Sequence, residues 1–142
     1  MRRFLVVGNQ TLDSDELHAA IAERIAAGPC RFHLVVPATH PHDHFTWSEG
    51  EATALARARL DEALAWMHAE GAVTTGEVGD ANPFLAVGDA LQRERYDEII
   101  LSTFPPGLSR WIRQDLPHRV ARFTSTPVQH VVASALKPEV TR

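Results

Sequence analysis

The feature that most restricts the fold is a regular alternation of short apolar runs with longer segments of helical periodicity. Near-continuous apolar runs of this length are typical of strands that are buried on both faces of a parallel sheet. The runs that predict strands are Arg3–Gly8, Phe32–Val36, Val73–Val78, Ile99–Leu101 and Val128–Val132. We therefore expect five strands.

Helical patterns fill the intervals between these strands. Asp13 and Glu16 have the spacing of a capping box at the start of a first helix, which Gly28 and Pro29 end. Further helices are predicted over 51–70, 82–95 and 108–123. A polar stretch rich in His and Pro, at 38–50, predicts a long loop.

The last of these helices contains a proline. Pro117 cannot continue a regular helix, and Asp115 in front of it could cap a new turn. We therefore expect a break or kink before Val120 and Phe123 resume the apolar stripe.

This order of elements predicts the fold class. Strands that alternate with helices require right-handed crossovers and a sheet covered on both faces. We therefore expect an α/β protein with a five-stranded, parallel, doubly wound, Rossmann-like sheet. Residues 1–136 are predicted to form a single domain, and residues 137–142 a flexible tail. In such sheets ligands bind outside the carboxyl ends of the strands, where the winding direction reverses, so the loops after strands one and four are the candidate site.

Charge is distributed unevenly along the chain, whose formal net charge is −4. Residues 1–100 carry eight basic and 16 acidic side chains, a net of −8, whereas residues 101–142 carry six and two, a net of +4. The chain lacks the broad basic excess that nucleic-acid binding needs. Its basic element, between Arg110 and Arg122, suits an anionic small ligand such as a phosphate.

The first apolar run and the single cysteine bear on cellular location and on redox chemistry. The first apolar run is too short for a signal peptide or a membrane span, so we expect a cytoplasmic protein without a membrane partner. Cys30 is the one cysteine and cannot form an internal disulfide. We expect it to pack at the edge of a strand.

Three features leave alternatives open. Arg110 and Arg113 are spaced to lie on one helix face, as an anion clamp or as a solvated surface. Trp111 between them could stack on a base or pack against the sheet or a dimer partner. The run His40–His44 has the residue types of a metal site but also those of an incidental polar loop. No catalytic constellation is visible, which predicts a protein that is not an enzyme.

Three motifs in the second half resemble those of the universal stress proteins. They are Val78–Pro83, with its Gly-Asp pair before a helix, Tyr96–Ser102, with an acidic start to a strand, and the Pro-Val-x-x-Val strand within Arg119–Val132. The resemblance extends from Phe4 to Val132. It implies a Rossmann-like fold of the adenine nucleotide alpha hydrolase-like type, and a homodimer formed through the last strand.

The resemblance also implies two signals for ATP binding, and this chain departs from both. An acidic residue is expected after strand one, where the chain has Asn9. A Gly-x2-Gly-x9-Gly-Ser/Thr loop is expected after strand four, where only Gly107 matches. Pro105 and Pro106 remove two backbone donors from that loop. The chain therefore resembles a divergent member of the family.

Two functional hypotheses follow. In the first, the chain binds a nucleotide such as ATP or AMP, or another phosphorylated metabolite, in a role in stress response. The residues predicted to bind it are Gly8, Asn9, Gln10, Ser102, Thr103, Gly107, Leu108, Ser109 and Arg110. Polar groups of the first loop would hydrogen-bond the ligand, Ser102 and Thr103 would line the floor, and Gly107–Ser109 with Arg110 would hold the anion. In the second, the chain is a ligand-free dimeric interaction module.

Overall fold

A computed structural model describes residues 1–39, 48–105 and 109–134, with the side chains of Arg110 and Arg113 excepted. These residues form five strands and five helices, which alternate along the chain except that α4 and α5 follow one another. The elements are β1 (Arg2–Val7), α1 (Asp15–Ala27), β2 (Cys30–Pro37), α2 (Glu49–Ala69), β3 (Val73–Gly79), α3 (Pro83–Arg93), β4 (Glu98–Thr103), α4 (Arg110–Arg113), α5 (Leu116–Phe123) and β5 (Val128–Val132).

All five strands join one parallel sheet in the order β3-β2-β1-β4-β5. The chain moves outward from β1 through β2 to β3, and then returns to β4 on the other side of β1. The winding direction therefore reverses between β1 and β4. The predicted fold class, a doubly wound parallel α/β sheet, is confirmed.

Helices cover both faces of the sheet because alternate residues of each buried strand point to opposite sides. Phe4 and Val6 of β1 pack with α1 and α2 on what we call the first face. Leu5 and Val7 pack with α3, α4 and α5 on the second face. These four side chains of β1 are each at most 2% exposed. The strand is therefore buried on both faces, as its continuous apolar run predicted.

One helix start agrees with the sequence pattern and two differ from it. Ser48 forms a full capping box with Glu51, which begins α2 earlier than predicted and places residues 49 and 50 in the helix instead of the loop. Asn82 caps α3, with Pro83 at the first helical position. The prediction of Asp13 as the first cap is wrong, since the Ser14 hydroxyl accepts from the Leu17 N–H at 3.1 Å.

The predicted break near Pro117 divides the last helix into α4 and α5. Asp115 lies between them with φ of 59°, in the left-handed region, and its side chain does not cap α5. Its carboxylate instead contacts His118 at 2.8 Å and Arg122 at 3.6 Å. Asp115 therefore occupies the cap position of α5, as predicted, but without a side-chain cap, and the break itself is confirmed.

An ion pair lies near the amino-terminal ends of β4 and β5. Arg24 of α1 is only 6% exposed, and its guanidinium donates to both carboxylate oxygens of Glu98, at 3.1 and 3.0 Å. It also donates to Gln129 and to the backbone oxygen of Ala20, and it lies 5.7 Å from the ring centroid of Phe4. We call this group the Arg24 cluster, and it connects α1 to three strands.

The cysteine lies where the sequence predicted it. Cys30 is the first residue of β2 and is buried, and burial raises the pKa of its thiol.

The predicted tail, residues 137–142, lies outside the described residues. Within the described residues, no helix combines the length and apolar character that crossing a membrane requires.

Candidate functional site

The loop after β1 approaches β4 closely at the point where the winding reverses. A Cβ added to Gly8 would lie 2.8 Å from Leu12 Cδ2 and 3.3 Å from the Cβ of Ser102. The absence of a side chain at Gly8 therefore allows the chain to turn directly over the end of β4. This contact brings two of the predicted site residues, Gly8 and Ser102, together.

Asn9 connects this loop to β2 and α2. Its side-chain amide donates to the backbone oxygen of Pro37 at 2.7 Å, and its side-chain oxygen accepts from Arg59 Nη1. Asn9 is only 8% exposed, so both contacts lie largely away from solvent. The predicted ligand contact Asn9 thus also positions the β1 loop, whereas Gln10 beside it is exposed.

A pair of hydroxyl groups joins the loop to β4. The Oγ1 of Thr11 and the Oγ of Ser102 are 2.6 Å apart, and both residues are buried. One proton lies between the two oxygens, so the second hydroxyl proton is still able to meet an acceptor. Ser102 and Thr103 belong to β4 itself, so this strand extends beyond the predicted run Ile99–Leu101.

Thr103 points to the opposite face of the sheet from Ser102, as successive strand residues do. Its Oγ1 donates to the backbone oxygen of Phe104 at 2.8 Å and accepts from Nε2 of His130, on β5, at 2.7 Å. Burial lowers the pKa of His130, which favours the neutral ring in this contact. Thr103 thus connects β4 to the edge strand.

After β4 the structure describes Phe104 and Pro105, and then the chain from Ser109 onward. Ser109 is buried, and its hydroxyl accepts from the Ile112 N–H at 3.1 Å. Trp111 is 8% exposed and packs within the second-face cluster, so packing against the sheet, one of the alternatives that the sequence left open, is confirmed. The predicted residues Gly107 and Leu108, and the side chain of Arg110, lie outside the described part of the structure.

The structure adds Arg59 to this edge of the sheet, a residue that the sequence analysis did not select. It lies within α2 and is partly buried, and burial lowers the pKa of its guanidinium while Glu62 opposes that shift. Nothing in the local sequence distinguishes Arg59 from Arg57, which is exposed. Only the fold places Arg59 beside Asn9, 50 residues away in sequence.

The metal hypothesis for the loop His40–His44 lies outside the described residues. Within the part of the chain that is described, no three His, Cys, Asp or Glu side chains are placed to hold a metal ion. The site's described polar groups are instead amide, hydroxyl and guanidinium groups. These groups donate to and accept from polar and anionic ligands.

The strand order defines a doubly wound α/β protein whose winding direction reverses between β1 and β4. Comparison with protein-family models finds no match, and comparison with curated protein sequences finds none. Comparison with solved structures does find matches. The structure is similar to a universal stress protein from Archaeoglobus fulgidus, with a TM-score of 0.64 over 92% of this chain and 93% of that one, at 14% identity.

Two further matches were solved with nucleotides. One is a universal stress protein family protein from Arabidopsis thaliana with AMP bound, with a TM-score of 0.63, 11% identity, and coverage of 95% of this chain and 94% of that one. The other is a universal stress protein in complex with cAMP, with a TM-score of 0.63, 21% identity, and coverage of 94% and 98%. This chain has the universal stress protein fold, as its motifs predicted.

Proposed function

We propose that this chain is a universal stress protein-like binding protein that holds a nucleotide or phosphorylated metabolite at the β1 and β4 loops, without turnover. The observation that carries the proposal is the position of its polar groups. Gly8, Asn9, Thr11 and Ser102 converge where the sheet reverses its winding, which is the general ligand position of such sheets. Structural neighbours with AMP and with cAMP support the same ligand class.

Each predicted residue has a role in this proposal. Asn9 and Gln10 hydrogen-bond the ligand's polar groups, and Ser102 and Thr103 form the floor of the site. Gly107, Leu108 and Ser109 present backbone donors and a hydroxyl to an anionic group, and Arg110 supplies positive charge. We further propose that the protein acts in the cytoplasm in stress response, as one domain over 1–136, without nucleic-acid or membrane partners.

A thermal-shift series tests the proposal. ATP, ADP, AMP, cAMP and inorganic phosphate are each added to the wild-type protein, and we expect at least one nucleotide to raise Tm. A ligand at about 100 times its Kd adds about 2.7 kcal/mol to the free energy of unfolding, which corresponds to a Tm increase of about 8 °C. Arg110→Ala should reduce this increase because it removes a cation from the anion-binding segment.

The matched control is Arg122→Ala. Arg122 lies on α5, and its side chain is 68% exposed, so this variant removes the same charge outside the candidate site. The control should keep the ligand response. A flat response of the wild-type protein to millimolar ligand, with the fold intact, would contradict nucleotide binding and favour a ligand-free interaction module.

We also propose that the chain forms a homodimer through β5. This strand lies at one end of the sheet order, so its outer side has backbone groups that no other strand of the sheet pairs. The N–H of Ala133 donates to Thr103 of β4 at 3.0 Å. Because backbone direction alternates along a strand, the N–H of Val132 points away from β4 and towards the proposed partner.

Val132→Pro is therefore expected to shift the protein from dimer to monomer, because proline removes a donor from the outer edge of β5. Light scattering measures the mass, and Val132→Thr, which keeps the N–H, should remain dimeric. Val131 is unsuitable for this test because it is only 6% exposed and packs in the first-face cluster. A dimer of unchanged mass in Val132→Pro, or a monomeric wild type, would contradict this interface.

A further inference from the structure

Arg59 is a cation whose side-chain contact in the structure is with a neutral group. Its Nη1 donates to the side-chain oxygen of Asn9, and an amide oxygen carries no formal charge. A guanidinium has five N–H donors in a planar fork. The contact with Asn9 uses one nitrogen of that fork, so donors are available for a second partner.

Direct ion pairs of other arginines show what is different about Arg59. Arg24 pairs with Glu98 at 3.0 Å, and Arg93 pairs with Glu77 at 2.5 Å. Among the described residues, no carboxylate lies within 4.0 Å of the Arg59 side-chain nitrogens. Within the described part of the chain Arg59 therefore makes no direct ion pair, although the more distant carboxylate of Glu62 attracts its charge.

Burial makes this arrangement costly unless an anion is present. A charged group that leaves water loses hydration, and a paired anion offsets that loss. The lowered pKa of Arg59 has burial as its main cause, which agrees with its position between α2 and the β1 loop. An anionic ligand group would supply the negative charge that the neutral Asn9 amide lacks.

The position of Arg59 connects it to the proposed site. Asn9 directly follows Gly8, whose Cα is positioned so that an added Cβ would lie 3.3 Å from the Cβ of Ser102. The guanidinium that contacts Asn9 therefore lies at the same end of β1 as the Thr11 and Ser102 hydroxyl pair. Neutral and cationic donors are thus grouped at this edge.

We propose that Arg59, held by Asn9, binds the phosphoryl group of the ligand and so makes this chain selective for phosphorylated over uncharged ligands. This inference rests on the proposed function and deepens it, since it assigns the ligand class to a residue of α2. Asn9 is a positioning residue in this arrangement.

Isothermal titration of the full chain with AMP, adenosine and inorganic phosphate tests the proposal. The wild-type protein should bind AMP more tightly than adenosine. Arg59→Gln should weaken AMP binding about tenfold or more, the size of a lost charge-assisted hydrogen bond, and leave adenosine binding within about twofold. Phosphate alone should lose binding in the same variant, which separates recognition of the phosphoryl group from recognition of the base.

One further variant and one control complete the design. Arg59→Lys keeps the positive charge without the planar fork and should retain part of the preference for AMP. Arg57→Gln removes an exposed cation from the same helix and should bind like the wild type. Circular dichroism and Tm of each variant establish that the fold is intact.

The outcomes separate the two proposals. A wild-type protein that binds none of the three probes overturns the proposed function and this inference together. AMP binding that is unchanged in Arg59→Gln overturns this inference alone and leaves Arg59 as a structural contact between α2 and the β1 loop. An equal loss of AMP and adenosine in Arg59→Gln also overturns it, because selectivity for the phosphoryl group would then be unaffected.

Discussion

Arg24→Met is expected to lower the free energy of unfolding by about 3 kcal/mol, because removing one member of a buried ion pair leaves the other without compensation. Arg24 is 6% exposed and donates to both carboxylate oxygens of Glu98. Methionine keeps the apolar stem that packs near Phe4 but removes every hydrogen bond of the guanidinium. Glu98 and the Gln129 side chain then lose their shared partner.

Urea denaturation followed by circular dichroism measures this effect. The matched control is Glu23→Gln, since Glu23 lies 3.7 Å from the same guanidinium but is 81% exposed at its side chain. Exposed ion pairs contribute about 0 to 1 kcal/mol, so the control should be close to wild type. The double variant Arg24→Met with Glu98→Met should regain much of the loss, because it leaves no unpaired charge. An equal loss in Glu23→Gln and Arg24→Met would show that the Arg24 cluster is not a stabilising unit.

Trp111→Ala is expected to destabilise the protein by about 3 kcal/mol, within the usual range for removing a large aromatic side chain from a core. Trp111 is 8% exposed and packs on the second face with Leu101, Leu116 and Val120. Its helix, α4, has only four residues and has little stability of its own. The tryptophan therefore holds the segment that follows β4 against the sheet.

The same denaturation experiment applies, and the control is Trp111→Phe. Phenylalanine fills part of the space and should recover more than half of the lost stability. Because α4 follows the proposed anion-binding segment, Trp111→Ala should also weaken any nucleotide response seen by thermal shift. A stable Trp111→Ala protein that had lost only its ligand response would instead favour the base-stacking alternative for this residue.

The fold could be predicted because its signals are local. The strand β1 is buried on both faces, and an unbroken apolar run in the sequence indicates such burial. Pro117 marked the break between α4 and α5 because proline acts on its own turn of helix. The prediction was wrong where two adjacent residues can both serve as a helix cap. At the start of α1 the cap is Ser14 and not Asp13.

The site was less predictable because its contacts cross long sequence separations. Thr11 and Ser102 are 91 residues apart, and Asn9 and Arg59 are 50 apart, yet each pair is hydrogen-bonded. Fold class and the switch-point rule indicate which loops form the site. They do not indicate which arginine of α2 reaches it, since that depends on how the helix is rotated against the sheet.

The Arg24 cluster and the Asn9–Arg59 contact lie at opposite ends of the strands, and this separation affects how such a chain can change over evolutionary time. Under the proposed function, substitutions at the carboxyl ends of the strands would change ligand recognition without disturbing the ion pair that anchors α1 to the sheet. Ligand choice would then diverge largely without loss of folding. Libraries restricted to positions 9–11 and 59 are therefore the natural starting point for testing new ligands on this scaffold.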